Sequence, residues 1–534
     1  MAKFAKVSPK KSEQKTFTSD DITETLNEEG GKAYTLPYKE RLATRVMSSL
    51  INEKKFYGDN TAALLADIKE CGEKDPEFLM KLAAYTRNVM YFRSSPVFVL
   101  GHASLINEVK PFVRKWTPRI VQRADEPAEI LALIGTYFTE KGEKAVVPNS
   151  IKKGLADTLK KFDAYALMKY KGVGKSVNLY DVFNVCHPKP DDQKQADLWK
   201  KFMNGELESA NTWERNLSAG GKKTEGEKAE IWEETIPVMG YMALLRNLRN
   251  FAEANISNEA IDLVVEKLTN EKAVLNSKQF PFRFFSAWRE LSKVATGRED
   301  RGMYYDGHPP ASELARVLKA PDKSNLRKLI GAIEDAFEIS IKNVTQLPGT
   351  TVIMSDHSGS MTAPISDRSS VTNMDIALVL HSIADKLSKK NAGIIFGERV
   401  ATVSSEGISA MKFIDEMRKK DVGHSTNAYK AFEALIRSGV SVDRVILLSD
   451  MQCYSTGFYF RSSLSVNDSW KKYKKIAPNA YLHTVDLSGY GTSQVAINDH
   501  NVALYSGWNT KFLDLIAQVE RGIGSLIQDI ENYR

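Results

Sequence analysis

Residues 350–360 read TTVIMSDHSGS, and this stretch decides how the C-terminal part of the chain folds. Its first five residues, Thr350–Met354, are an uninterrupted run of β-branched and apolar residues, which predicts a buried strand. Asp356, Ser358 and Ser360 follow in the loop at the carboxyl end of that strand. One carboxylate and two hydroxyls spaced by two supply oxygen ligands on the same side of the loop, so the stretch predicts a site for a hard divalent cation.

Further strands rich in Val, Ile and Leu alternate with helices after this stretch. The pattern predicts strands at 393–396, 445–448 and 480–485, and helices at 375–389, 411–418, 428–437, 469–476 and from residue 510. This alternation is typical of a doubly wound parallel sheet, an α/β fold in which ligands bind at the carboxyl ends of the strands.

Two more oxygen ligands are predicted at the same edge of the sheet. Asp450 ends the strand that begins at Val445, and Thr426 lies at the start of the helix at 428–437. A Mg²⁺-dependent hydrolase using Asp356, Asp450 and His357 is an alternative, because a bound metal with an open position can activate water. Catalysis is not favoured, since no second carboxylate follows Asp356 to make a two-metal site.

The chain before residue 346 is predicted to be all-helical. Asp75-Pro76-Glu77 opens one helix, with a capping residue followed by Pro at the first helical position. Further amphipathic stretches are 41–56, 128–138, 150–162, 238–254, 258–268, 282–294 and 325–344. Many short helices without a long apolar segment favour stacked helical hairpins with a concave surface, and a compact bundle is the alternative.

Length and composition agree with this organisation. The 534 residues exceed a single core, which stops growing near ~250–300 residues. We expect a flexible N-terminal arm (1–30), a helical domain (31–345) and an α/β domain (346–534), an α + α/β architecture. The 3 cysteines lie far apart, which favours a reducing, cytoplasmic setting. No apolar run reaches the ~20 residues that a membrane span requires.

Positive charge is concentrated in one part of the helical region. The formal net charge is only +7, but residues 152–175 hold seven lysines and two acidic residues. Such a cluster attracts polyanions, although a solvated helix face is the alternative. Lys169, Lys171 and Lys175 lie in a glycine-containing loop, and His187 follows the next short helix. Lysines suit phosphates, and Tyr or His can stack on an exposed base.

Several segments around these residues resemble the TROVE module of Ro autoantigen-type RNA-binding proteins. They are Lys-Tyr-Lys at 169–171, His-Pro-Lys-Pro at 187–190, Arg-Ser-Ser-Pro-Val-Phe at 93–98, and the segments 244–250 and 282–287. The oxygen ligands resemble the metal-ion-dependent adhesion site of von Willebrand factor A domains: Asp356, Ser358, Ser360, Thr426 and Asp450. The two resemblances together span nearly the whole chain.

The resemblance implies a ring of HEAT-like helical repeats (the TROVE module) closed by a von Willebrand factor A domain. Such a protein is a non-catalytic scaffold for small-RNA quality control. It binds Y or Y-like RNA on an outer basic surface and the single-stranded 3′ ends of misfolded RNAs in a central hole. An exoribonuclease such as polynucleotide phosphorylase joins through the RNA, and the protein is otherwise a monomer.

The resemblance also implies roles for single residues. Lys169, Lys171 and His187 match the segment that contacts Y RNA. The loop between them lacks the arginine and the Gly-Trp-Ser segment of the family, and Lys175 is expected to replace the missing charge. Arg246, Arg249 and Arg283 are the candidates for the central hole, because arginine binds phosphates through two hydrogen bonds. The alternative for these arginines is ion pairing with Glu253 or Glu290.

The metal site has implied roles of its own. Ser358, Ser360 and Thr426 coordinate Mg²⁺ directly, Asp356 and Asp450 act partly through water, and one position stays open for an acidic ligand or water. A protein-interaction module of the adhesion type, with incidental RNA binding, is therefore the alternative function. A further basic stripe consists of Lys115, Arg119 and Arg123.

Overall fold

The structure, a computed structural model, describes most of the chain. The described residues are 22–48, 61–172, 174–207, 225–296, 322–342, 344–365, 369, 371–454, 464–497, 501–522 and 525–534. They form two compact units. The first unit falls within Met1–Gly205, Val344–Ser404 and Lys419–Arg534, and the second within Glu206–Asn343 and Ser405–Arg418. This grouping differs from the domain limits at residues 30 and 345, which stay a prediction.

The first unit begins with stacked helices. They are α1 (Tyr38–Met47), α2 (Thr61–Lys74), α3 (Pro76–Asn88), α4 (Ser94–Ala103), α5 (Lys110–Ile120), α6 (Glu126–Glu140), α7 (Asn149–Leu159), α8 (Ala164–Lys169), α9 (Leu179–Cys186) and α10 (Gln193–Met203). Asp75 caps α3 by accepting a hydrogen bond from the backbone N–H of Phe78, as its sequence predicts. The part of the predicted helix 41–56 beyond residue 48 lies outside the described residues.

Packing among these helices is between near neighbours in the chain. Helix α3 packs on α2, α4 and α5, while α5 packs on α7 and α7 on α9. Each helix therefore buries its apolar face against the next ones, which is how stacked hairpins build a core. No helix in the described parts of the chain is both long enough and apolar enough to cross a membrane.

The second unit is also helical. Its helices before the α/β part are α11 (Glu225–Thr235), α12 (Tyr241–Glu253), α13 (Asn258–Thr269), α14 (Glu271–Ser277), α15 (Pro281–Thr296) and α16 (Lys323–Ser340). Helix α16 packs against α13 and α15, and α12 packs on α15. Phe282, Phe284 and Phe285 at the start of α15 are buried, as is Phe337 of α16.

The α/β part contains most of the strands. In chain order, the strands of the described residues are β1 (Glu24–Leu26), β2 (Lys32–Thr35), β3 (Leu347–Asp356), β4 (Ser388–Phe396), β5 (Val400–Val403), β6 (Arg444–Ser449), β7 (Tyr481–Asp486), β8 (Thr492–Ser493) and β9 (Val502–Ser506). The helices are α17 (Asn373–Leu387), α18 (Ala410–Arg418), α19 (Ala428–Ser438), α20 (Val466–Tyr473), α21 (Lys511–Val519) and α22 (Leu526–Glu531). Helix α18 falls within the second unit.

Six of these strands form one sheet with the order β5-β4-β3-β6-β7-β9. All neighbours in it are parallel except β4 and β5. Val352 and Met354 of β3 belong to a buried cluster that also contains Phe432 of α19 and Trp470 of α20. On the other face, the hydroxyl of Ser355 lies 2.7 Å from a ring nitrogen of His381 in α17. Helices thus cover both faces, which confirms the predicted α + α/β fold with a doubly wound sheet.

The N-terminal segment differs from the flexible arm predicted over residues 1–30. Where the structure describes it, from Ile22 on, β1 and β2 form an antiparallel pair, and β2 also pairs with β8. Residues 1–21 lie outside the described residues. The short polar segment has too little apolar periodicity to predict a strand, and β8, the second partner of β2, lies more than 400 residues away in the sequence.

Candidate functional site

The pairing of β3 with β6 brings two carboxylates to one edge of the sheet. Ser355 pairs with Leu448 in a parallel register, so the next residue of β3, Asp356, lies beside Ser449. The Ser449 hydroxyl donates a hydrogen bond of 2.7 Å to Oδ2 of Asp356. Asp450 follows directly. Both aspartates are fully buried at this edge.

The loop after Asp356 presents its hydroxyls to the same place. The backbone N–H of Ser358 donates to Oδ1 of Asp356 at 2.8 Å, and the hydroxyls of Ser358 and Ser360 are 3.2 Å apart. Both serines are buried. The backbone N–H of Gly359 donates to the carbonyl of His424 at 2.8 Å. This contact ties the loop to the segment that carries Thr426.

The third segment closes the arrangement. Thr426 is buried, and its carbonyl accepts a hydrogen bond of 2.8 Å from the backbone N–H of Tyr454, just beyond Asp450. Oδ1 of Asp450 accepts from the backbone N–H of Gln452 at 3.1 Å. Oδ2 of Asp450 is buried, and no group among the described residues donates a hydrogen bond to it. A buried carboxylate oxygen without a partner is costly, and a bound cation would offset that cost.

Burial disfavours the charged form of both carboxylates, and their negative charges repel each other. Burial raises the pKa of Asp356, although hydrogen bonds from Ser358 and Ser449 oppose this rise. Burial also raises the pKa of Asp450, and the negative charge of Asp356 raises it further, while hydrogen bonds from the Ser360 side chain and the Gln452 backbone oppose this rise. In the described part of the chain, no three His, Cys, Asp or Glu side chains cluster as metal ligands, so the other donors here would be hydroxyls.

The loop after Asp450 is held from outside by the N-terminal turn. Asn27 donates from its side chain to the carbonyl of Cys453 at 2.8 Å, and the backbone N–H of Glu28 donates to Oε1 of Gln452 at 2.8 Å. Within this loop Met451 has a left-handed backbone with φ of 64°. Such a conformation persists in a non-glycine residue only when its surroundings fix it. No local pattern in the sequence signals this support.

The basic segment of the first unit is ordered by the ends of two short helices. Lys169 is the last residue of α8. The carbonyl of Lys171 accepts a hydrogen bond of 3.1 Å from the backbone N–H of Leu179, which closes the loop between α8 and α9. His187 caps the C-terminal end of α9 in a left-handed conformation with φ of 46° and is exposed. Because α9 has eight residues, roughly 12 Å separates its two ends.

Two of the seven clustered lysines serve the fold. Lys160 forms an ion pair with Asp191, and Lys161 donates to the carbonyl of Pro118 at 2.6 Å at the end of α5. Lys171 and Lys175 form no ion pair among the described residues. Lys175 is exposed, and its positive charge opposes the rise that burial causes in the pKa of Glu129. The charge available to a ligand is therefore smaller than the sequence suggests, and it comes from Lys152 and Lys153 of α7 as well as from the loop between α8 and α9.

The weaker basic stripe on α5 is mostly occupied by neighbouring side chains. Lys115 lies 3.6 Å from a carboxylate oxygen of Glu77. The Arg119 guanidinium lies over the Trp116 ring, 4.9 Å from its centre. Arg123, beyond α5, donates to both carboxylate oxygens of Asp125 at 3.1 and 2.9 Å.

The three candidate arginines of the second unit divide into two kinds. Arg249 pairs with Glu253 at 2.7 Å and with Glu290 at 3.2 Å, which is the alternative considered for it. Arg246 is exposed, and Arg283 is half-buried with its guanidinium 5.0 Å from the centre of the Phe282 ring. Burial and the positive charge of Arg246 lower the pKa of Arg283. Arg246 and Arg283 are like charges that lie near each other. Within the described residues neither of them forms an ion pair.

Comparison with known proteins shows to which family the chain belongs. The family model described as TROVE domain matches residues 32–205 and 201–349, more than half of the chain. The chain belongs to the TROVE-domain family. The resemblance to the TROVE module seen in the sequence is thereby confirmed.

Similar proteins include telomerase protein component 1 of two rodents. The mouse protein is 25% identical over 367 residues, covering 54% of this TROVE protein and 14% of the mouse chain. The rat protein is 24% identical over 334 residues, covering 47% of this chain and 12% of the rat chain. This TROVE protein therefore matches only about one seventh of the length of these relatives.

A solved structure supports the fold of this TROVE protein. The crystal structure of the Ro (Rsr) protein of Deinococcus radiodurans superposes with a TM-score of 0.58 at 15% sequence identity. The match covers 91% of this chain and 99% of the other. At this identity the likeness shows the fold alone.

We expect Asp450→Asn to make the metal-free protein more stable, increasingly so as the pH rises. Because the pKa of Asp450 is raised in the folded state, wild-type stability should fall as pH rises from the unfolded value, ~3.9, through the raised folded value. The amide cannot ionise and should not lose this stability. Urea unfolding in EDTA between about pH 5 and pH 8 measures the difference.

Asp421→Asn is the matched control, since the Asp421 side chain is 81% exposed. It should leave the pH dependence of unfolding unchanged. Parallel stability losses in wild type and Asp450→Asn between the two pH values would contradict the proposed repulsion.

Proposed function

We propose that this TROVE protein binds small non-coding RNA as the non-catalytic protein component of a ribonucleoprotein. The observation that carries the proposal is the loop between α8 and α9, where Lys171 and Lys175 remain outside ion pairs in a chain that belongs to the TROVE-domain family. When lysines without an ion pair bind phosphates, the counterions condensed on the RNA are released, and this release is the main source of affinity for RNA.

The finer part of the proposal concerns which RNA binds where. Y or Y-like RNA binds at Lys169, Lys171, Lys175 and His187, and single-stranded 3′ ends of misfolded RNAs bind at Arg246 and Arg283. The protein then acts in small-RNA quality control in the cytoplasm, as a monomer apart from its RNA. An exoribonuclease such as polynucleotide phosphorylase joins through the RNA.

Removing two lysines tests the first RNA surface. We expect Lys169→Ala combined with Lys171→Ala to weaken binding of the RNA that co-purifies with the protein. The slope of log affinity against log salt should become less steep by up to about two, because each lost phosphate contact changes it by ~0.9. Filter binding over a range of salt concentrations measures both quantities.

The matched control removes two lysines elsewhere in the first unit. Lys69 and Lys74 of α2 are 72% and 57% exposed and pair with glutamates of the same helix. Lys69→Ala combined with Lys74→Ala changes the net charge equally and should leave the salt slope intact. An unchanged slope in the Lys169 and Lys171 variant would remove the proposed surface.

The arginines of the second unit form a second proposed phosphate site. Arg246 and Arg283 repel each other, and a phosphate bound between them would relieve this repulsion. The phosphate oxygens would accept bidentate hydrogen bonds from the guanidinium groups. Arg249 is unsuited to this role because Glu253 and Glu290 already neutralise it. The three arginines therefore offer a contrast within one small region.

We expect Arg246→Gln combined with Arg283→Gln to weaken binding of a single-stranded uridine oligonucleotide roughly ten-fold or more. Arg249→Gln, the matched control, should change the affinity less than about two-fold. Fluorescence anisotropy at fixed salt measures both. Equal losses in the two variants would mean that general positive charge, rather than the arginine pair, attracts the strand.

We further propose that the edge of the sheet holds Mg²⁺. The donor set suits it: carboxylates from Asp356 and Asp450 supply charge, and the hydroxyls of Ser358, Ser360 and Thr426 supply neutral oxygens. The buried Oδ2 of Asp450 without a donor supports a cation there. A bound Mg²⁺ would keep a position for water or for the carboxylate of a protein partner, which makes partner capture a second candidate function.

Asp356→Ala separates the two functions. Mg²⁺ should raise the thermal unfolding midpoint of the wild type and leave that of Asp356→Ala unchanged, because the variant lacks one of the two carboxylates. RNA affinity should survive in Asp356→Ala if RNA binding is the main role. An equal Mg²⁺-dependent rise in both proteins would contradict the metal site, and loss of RNA affinity in a folded variant would tie the metal to RNA binding.

A further inference from the structure

Tyr165 on α8 is a large aromatic side chain that the fold leaves exposed. The relative exposure of Tyr165 is 49%, and the residue lies one helical turn before Lys169. The ammonium of Lys169 lies 3.3 Å from the Tyr165 hydroxyl and 5.5 Å from the centre of its ring. The ring is thus accompanied by a positive charge while much of its surface stays in water.

A second ring extends this arrangement toward the interior. Lys169 also lies 5.7 Å from the centre of the Tyr170 ring, and the guanidinium of Arg123 lies 4.6 Å from the same centre. Asp125 holds Arg123 in place through two hydrogen bonds. Cations and rings therefore alternate from Arg123 outward to Tyr165, and Tyr165 is the outermost ring.

We propose that Tyr165 is a stacking platform for an unpaired base of the bound RNA, with Lys169 on the adjoining phosphate. The proposal rests on the proposed RNA binding at Lys169 and Lys171 and adds the class of RNA. An aromatic face stacks on any base, but only where that base is not already stacked and paired within a duplex. The RNA at this surface must then carry a loop, bulge or single-stranded end beside the phosphates that the lysines contact.

A second tyrosine–lysine pair provides a comparison, because its tyrosine ring contacts other aromatic rings. Tyr137 and Lys141 on α6 have the same spacing, with the Lys141 ammonium 4.1 Å from the centre of the ring. The Tyr137 ring, however, packs edge-on against Phe138 at 5.3 Å and lies 6.1 Å from His102. Tyr165 has no ring neighbour of this kind among the described residues. Tyr137 is therefore a matched control for Tyr165.

The test combines protein variants with two hairpin RNAs that share one stem. One RNA has a loop of adenosines, and the other has a loop with the same phosphates but abasic sugars. Tyr165→Ala should weaken binding of the adenosine loop roughly ten-fold, as expected for one stacked base, and leave the abasic loop unchanged. Tyr165→Phe should bind both RNAs as the wild type does, because stacking needs the ring and not the hydroxyl.

The outcomes that overturn the proposal are distinct. Equal losses for the two RNAs would mean that Tyr165 contacts the backbone or only supports Lys169. A loss in Tyr165→Phe equal to that in Tyr165→Ala, no loss in Tyr165→Ala, or the same loss in Tyr137→Ala would also overturn it. Thermal unfolding midpoints confirm that the variants are folded, which the exposure of Tyr165 leads us to expect.

Failure of the proposed function would look different. If Lys169→Ala combined with Lys171→Ala left the affinity and salt dependence for both hairpins unchanged, RNA would not bind at this surface at all. If that variant weakened both hairpins while Tyr165→Ala weakened neither, the surface would stand and only the stacking platform would fall.

Discussion

The parallel register between β3 and β6 is the constraint on which the candidate metal centre depends. It sets Asp356 beside Ser449 and so places Asp450 at the same edge. Two buried carboxylates repel each other, and burying each one costs several kcal/mol without compensation. The surrounding hydroxyls and backbone N–H groups compensate most of their oxygens but leave Oδ2 of Asp450 without a donor. The proposed Mg²⁺ would offset this repulsion.

The basic residues of the helices fall into two groups, according to whether a carboxylate or a carbonyl already engages them. Lys160, Lys161 and Arg249 are engaged by carboxylates or helix-end carbonyls, so they contribute to the fold more than to a polyanion. Lys171 and Arg246 have no ion pair among the described residues, and they retain their full charge for phosphates. An exposed ion pair adds little stability, about 0–1 kcal/mol, yet it removes a charge from any ligand that approaches. The availability of each charge, and not the number of charges, defines the proposed RNA surfaces.

Long-range contacts also support the candidate metal centre. The Asn27 turn reaches the Gln452–Cys453 backbone across more than 400 residues of sequence, and it holds a loop in which Met451 is left-handed. The N-terminal segment is thereby a structural part of the α/β sheet's edge. This contact links the shape of the Asp450 loop to a segment that lies outside the matched TROVE region, which begins at residue 32.

Local patterns in the sequence by themselves determined the buried strand ending at Asp356, the Asp-x-Ser-x-Ser loop, the cap of α3 at Asp75 and the alternation of strands and helices. These features depend on neighbours within one or two turns, whose chemistry a periodic pattern records. Only the tertiary structure decided that Arg249 is neutralised while Arg283 is not, that Tyr165 is exposed while Tyr137 is packed, and that residues 24–35 form strands. Those outcomes depend on partners far away in the chain, and local periodicity carries no information about which distant group will arrive.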